Sequence, residues 1–170
     1  YGKYYFAQVA YGRMKVGLAL AEGRLSNTPK LVDTVFQCTM CGACDSGCKR
    51  NLDLEILNTL ETLRGWMVEK GWYPKAYDQV VSSVEKNHNK FGFPHESGTQ
   101  WVNGTKLERK AETVYFAGCA APYTNKEIAQ STAKILKGAD IKFNLLPEEQ
   151  CCGHPLFVMG HYHNFQKQLD

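Results

Sequence analysis

The sequence has no run of 18 apolar residues, so no segment of it is suited to span a bilayer as a helix. Docking onto a membrane-embedded partner stays open. It has little excess of charge. A net +3 is too small to argue for nucleic acid or an anionic membrane surface as a partner. It has no secretory leader pattern. It begins at Tyr1 rather than Met, which reads as a piece of something longer. It also has no stray cysteine. All seven fall into two groups, at 38–48 and at Cys119 with Cys151 and Cys152. An odd number confined in this way argues against a disulfide framework and for metal ligation in a reducing cytoplasm. The remainder, 44% hydrophobic and 22% charged over 170 residues, is ordinary globular protein. That length suffices for one domain or two small ones.

The densest chemistry is Cys38-Thr-Met-Cys41-Gly-Ala-Cys44-Asp-Ser-Gly-Cys48. Its C-x2-C-x2-C-x3-C spacing is the ligand run of a 4Fe–4S cluster. A cubane needs thiolates arriving from several directions on a box a few Å across. Gly42 and Gly47 give a tight loop room to wrap it. A zinc protein is the reading from another class. Zinc knuckles use two separated C-x2-C pairs, and no second pair follows.

Around this run the periodicity is helical. Phe6, Val9, Ala10, Met14, Leu18 and Ala21 predict a helix over 3–23 that stops near Gly23. Thr28 and Pro29 read as N-cap and first turn of a short helix that delivers Cys38. The aromatics here, Tyr4, Tyr5 and Tyr11 among them, read as core. Leu52, Ile56, Leu57, Leu60, Leu63, Met67 and Val68 predict a helix over 53–70 ending near Gly71, and 75–90 a further one. Residues 87–112 are poorly patterned, with Asn103-Gly104 and a charged run from Lys106 to Glu112, and read as a linker. His88 and His95 in it read as surface residues.

The last third changes character. Thr113–Ala117 is a short β-type run ending at Gly118-Cys119. Asn125–Lys137 predicts a helix with Ile128, Ala129, Thr132, Ile135 and Leu136 on one face. Ile141–Leu146 is a second strand-like run. Together these make a β–α–β unit with parallel strands. Ligands of open α/β sheets sit beyond the carboxyl ends of the strands. That topology brings Cys119 to Cys151 and Cys152, with Gly153 allowing the close turn. Three thiols make a metal site of unspecified metal. His154 is near enough to Cys152 to orient a ligand or donate a proton. His161 and His163 read as solvent or helix-surface residues.

Gly118-Cys119 and Cys151-Cys152-Gly153-His154-Pro155, downstream of the cysteine run, resemble the cysteine-rich CCG domain. That family includes catalytic polypeptides of heterodisulfide reductases and the iron–sulfur subunit of glycolate oxidase. The resemblance runs from about residue 30 onward and is best to the fused, heterodisulfide-reductase-D-like kind. It implies an α + α/β protein: a helical 4Fe–4S ferredoxin-type domain over 1–86, the linker 87–112, and the first half of a CCG domain over 113–170. The family's closing C-x2-C and its first cysteine run are not in the sequence, and Lys49 stands where proline usually follows the fourth cysteine. By ferredoxin bookkeeping Cys38, Cys41 and Cys44 hold one cubane. Cys48 then serves a second, whose other ligands lie outside this sequence. The resemblance also implies a non-cubane or other iron–sulfur cluster on Cys119, Cys151 and Cys152. The implied function is an oxidoreductase subunit that passes electrons from the cubane pair to a CCG site where a disulfide is reduced. A pure relay to an acyl-CoA reductase, a flavoprotein or a quinone-linked complex is the alternative. Implied partners are a flavoprotein or further iron–sulfur subunit and a membrane cytochrome. The expected location is cytoplasmic, free or peripheral to a membrane.

Overall fold

The computed structural model describes residues 5–49, 53–102, 111–146 and 148–170. Tyr4, Leu52, Asn103-Gly104 and the start of the charged run at Lys106 lie outside these residues. Helix dominates, with one two-stranded sheet among the described residues. The chain forms two compact units.

The first unit comprises Tyr1–Tyr77 together with Pro155–Gln166. A 3-10 turn, Phe6–Gln8, leads into α1, Ala10–Ala21. The helix predicted over 3–23 is thus interrupted near Val9, whose extended backbone separates the two pieces. Then comes α2, Pro29–Phe36, capped as expected: Thr28 Oγ1 accepts from the Leu31 N–H at 3.2 Å, with Pro29 in the first turn. Next are α3, Ala43–Lys49, and α4, Ile56–Glu69. Glu55, at the start of α4, makes no side-chain cap. Asp45 on α3 takes that role by accepting from the Leu57 N–H at 3.1 Å. Leu20, Leu31, Val35, Phe36 and Met67 form the core, with Leu63, Trp66, Trp72, Tyr73 and Tyr77 packed against them. Each large apolar side chain so buried contributes on the order of 1.5–3 kcal/mol.

The second unit comprises Asp78–His154 and Lys167–Asp170. It takes most of α5, Tyr77–Asn87, and a 3-10 segment, His95–Val102. Strand β1, Thr113–Val114, pairs in parallel with β2, Phe143–Asn144, in the register Thr113 to Phe143. Between them run a short α6, Ala120–Tyr123, and α7, Lys126–Gly138. The β–α–β unit is therefore present, with strands shorter than predicted. The buried face of α7 overlaps the expected one only in part: Ala129 and Leu136 pack on the core as expected. Ala129 and Ala133 are buried, whereas Ile128 and Ile135 are 55% and 70% exposed. Small residues let the helix lie close to Trp101 and Phe143, which fill the core with Ala121. The chain ends with α8, His154–Met159, and α9, Tyr162–Leu169.

Candidate functional site

The first cysteine group hangs between α2 and α4. Cys38 leaves the last turn of α2, its N–H bonded to the Val35 carbonyl at 3.4 Å. Residues 38–42 then turn through two left-handed conformations, Met40 at φ 54° and Gly42 at φ 71°. Glycine adopts the second without strain. Gly47 is not part of this loop. It lies inside α3, where Cys44 and Cys48 sit four residues apart on one helix face. Cys41 is exposed, and the other three are partly buried. The Ala43 N–H and the Thr39 hydroxyl aimed at Cys41 hold its thiol below the ordinary range. Burial pushes the Cys44 thiol up, and a negative charge on nearby Cys38 adds to that.

Beneath the loop lies Arg64, which sequence periodicity marks only as one more position on a helix. It is 3% exposed. Its Nη2 donates to the carbonyls of Val35, Phe36 and Cys38 at 3.2, 3.0 and 2.6 Å. These are carbonyls of the last turn of α2 and the first carbonyl of the cysteine run. Nothing local in the sequence signals this contact.

The second group lies beyond the ends of β1 and β2. Cys119 hydrogen-bonds Cys151, and Cys151 also bonds Cys152. Cys151 is buried and Cys152 exposed. The proton Cys119 donates holds Cys151 down at about 6 despite burial, helped by the Gly153 N–H and by the charge of Lys90. The same sharing, with burial, drives the Cys119 thiol above its ordinary range. Gly153 turns at φ 76° immediately after the pair.

The wall of this site is the segment whose sequence reads as a linker. Asn89 is fully buried and knots it. Its amide donates to the carbonyls of Asn87 and Phe93 at 2.8 and 2.7 Å. Its oxygen accepts from the N–H groups of Phe91 and Phe93, both at 3.1 Å. The knot presents the His88 carbonyl to the Cys151 N–H at 2.8 Å and the Lys90 N–H to Cys119. His88 therefore sits at the site through its backbone, and its ring packs edge-on against His95 at 5.2 Å. Glu149 closes the other side. Its carboxylate accepts from the Ala117 and Gly118 N–H groups at 3.0 and 2.6 Å, fixing the loop that carries Cys119. Burial raises its pKa against those two bonds. The cavity behind this loop, lined by Trp101, Tyr123 and Glu149 among others, holds about 40 Å³, enough for a water but no organic substrate.

The histidines after the motif separate. His154 and His163 are exposed. His161 is a correction: it is buried, 4.8 Å from the Tyr73 ring at 82°. It stands in the turn between α8 and α9 rather than on a helix surface, so helical periodicity does not apply to it.

Among the described residues no three His, Cys, Asp or Glu side chains close as one metal-holding group. The donor set still fits an iron–sulfur group by its chemistry. Every candidate ligand is a thiol, none is in a disulfide, and Cys119, Cys151 and Cys152 are already neighbours. No helix among the described residues is long and apolar enough to cross a membrane.

Comparison with known proteins agrees with the second group in particular. Residues 113–170 match the family described as the cysteine-rich domain, CCG. The D subunit of the dihydromethanophenazine:CoB–CoM heterodisulfide reductase of Methanosarcina mazei is 33% identical over 141 residues, covering 81% of this chain and 34% of that protein. The EtfAB:quinone oxidoreductase of Syntrophomonas wolfei is 23% identical over 79% of this chain and 20% of its own length. The C subunit of the anaerobic glycerol-3-phosphate dehydrogenase of Escherichia coli is 24% identical over 67% of this chain and 30% of its own. The chain thus spans about a third or less of the curated relatives it matches. No solved structure matches it.

Proposed function

Because residues 113–170 carry the cysteine-rich CCG domain and the chain belongs with the heterodisulfide reductase D subunits among the iron–sulfur oxidoreductases, we propose that it is the electron-transfer part of a heterodisulfide reductase-like complex. Seven thiols in two groups, with Cys119 and Cys151 in hydrogen-bond contact and none in a disulfide, support this function. Cys38, Cys41 and Cys44 would hold one cubane, Cys48 part of a second, and Cys119, Cys151 and Cys152 the group of the CCG site. When bound, iron–sulfur groups supply one-electron chemistry at these two places.

The protein's own residues supply the surroundings. The Lys90 and Gly153 N–H groups point at Cys119 and Cys151, and such bonds to sulfur tune a cluster's potential. Asn89 and Glu149 hold the two loops that carry these thiols. Exposed Cys152 leaves one edge of the site open to a substrate disulfide or a partner. Partners of the proposed complex are a flavoprotein or a further iron–sulfur subunit and a membrane cytochrome, with this chain on the cytoplasmic side.

A relay without disulfide chemistry is the second reading. The quinone-linked and glycerol-3-phosphate relatives favour it, since neither name includes a disulfide. Anaerobic reconstitution with iron and sulfide tests the proposal. Acid-labile sulfide and a reducible EPR signal lost in Cys41→Ala support it; zinc bound without iron sinks it. Oxidation of the reduced protein by a disulfide, abolished in Cys152→Ala, separates catalysis from relay.

A further inference from the structure

Arg64 is a buried cation with no carboxylate partner among the described residues. Three of its hydrogen bonds go to the Val35, Phe36 and Cys38 carbonyls and a fourth to the Val158 carbonyl at 2.7 Å. Its guanidinium packs over the Phe36 ring, 5.2 Å from the centroid, and its Nε has no hydrogen-bond partner among the described residues. The titratable groups that face it among the described residues are Tyr77, Cys38, Arg13 and Tyr162. Arg13 adds a second positive charge. Its Nε donates to the Thr34 carbonyl at 2.8 Å and its other arm to the Gln8 carbonyl.

A guanidinium stays protonated in proteins. Burying one is costly unless an anion compensates it. Carbonyl oxygens satisfy its hydrogen bonds but carry no net charge. Of its neighbours, phenols are neutral near pH 7 and Arg13 makes the imbalance worse. Among the described residues that face it, Cys38 is the one that would carry a negative charge as a ligand of a metal group.

We propose that Arg64 is the counter-charge of the Cys38 thiolate and of the metal group that thiolate holds. The inference rests on the 38–48 run being an iron–sulfur ligand run. A fixed cation beside such a group favours its more negative, reduced state and raises its reduction potential. Arg64 thereby acts on the group's charge as well as on the path of the backbone into the loop.

The test is an EPR-monitored redox titration of the full chain, reconstituted anaerobically, with Cys41→Ala identifying the signal of this run. In Arg64→Met the ratio of reduced to oxidised group at the wild-type midpoint should fall about tenfold, equivalent to 59 mV for one electron. Arg64→Lys keeps the charge and should stay within about twofold of wild type. Arg13→Met should move the midpoint in the same direction by less, and it decides the matter if Arg64→Met fails to fold. Iron bound with an unmoved midpoint in the Met variants overturns the inference alone. Lysine failing to rescue the midpoint also overturns it, because the role would then be carbonyl capping. A wild-type chain that binds no iron at 38–48 overturns the underlying function, and the inference with it.

Discussion

Cys41 and Cys44 are one short step apart and differ in the state of their thiols. Hydrogen bonds from Ala43 and Thr39 favour the thiolate at Cys41, while burial disfavours it at Cys44. The thiolate is the reactive form. In metal-free protein near neutral pH, a short iodoacetamide pulse should therefore label Cys41 well before Cys44, as read by mass spectrometry. The preference holds while both thiols are mostly protonated and fades as pH rises past the pKa of Cys44. Asn89 gives a stability prediction. Asn89→Ala leaves two carbonyls and two N–H groups without their buried partner. A loss of about 2–4 kcal/mol in urea denaturation is expected. The cysteines are legible in the sequence because spacing and donor chemistry are written in adjacent letters. Arg64, Asn89 and Glu149 are not, because their roles depend on backbone groups that only folding brings near them.

At the scale of the element, cap chemistry is the most legible signal. Thr28 and Pro29 open α2 as their sequence says, and Thr28→Ala should cost about 1 kcal/mol in a urea melt. Periodicity is less faithful. It assigns α7 nearly its true span and rightly turns Ala129 and Leu136 toward the core, but it also turns Ile128 and Ile135 inward, where the close approach of Trp101 and Phe143 selects alanines instead. Paired substitutions check this. Ile135→Ser on the exposed side should change stability by less than about 0.5 kcal/mol. Ala133→Leu, at 2% exposure, should cost about 1–3 kcal/mol by overpacking. Gly47 reads as loop because glycine usually signals one. The hydrogen bond from Ser46 N–H to the Gly42 carbonyl, at 3.1 Å, shows helix starting earlier.

Over the whole molecule, the feature the sequence conceals is a return. Residues 155–166 rejoin the first unit after the second has been traversed. They bring Leu156 at 0% exposure and Met159 at 7%, and Val158 gives its carbonyl to Arg64. No local pattern announces this, because α8 and α9 look like any short amphipathic helices until their partners are known. A fragment of residues 1–77 should therefore melt below the full chain by circular dichroism. Adding a peptide of residues 155–166 in trans should restore part of the loss.

The same return bears on biosynthesis. The thiols at 38–48 are made before those at 151 and 152, yet after Tyr77 their unit waits for roughly ninety further residues before Gln166 completes its second segment, about 4–18 s at ordinary translation speeds. The later thiols at 151 and 152 close the continuous stretch 78–154 of their own unit. The threading of the chain thus makes the first cysteine group wait for a segment that is synthesised after the second group.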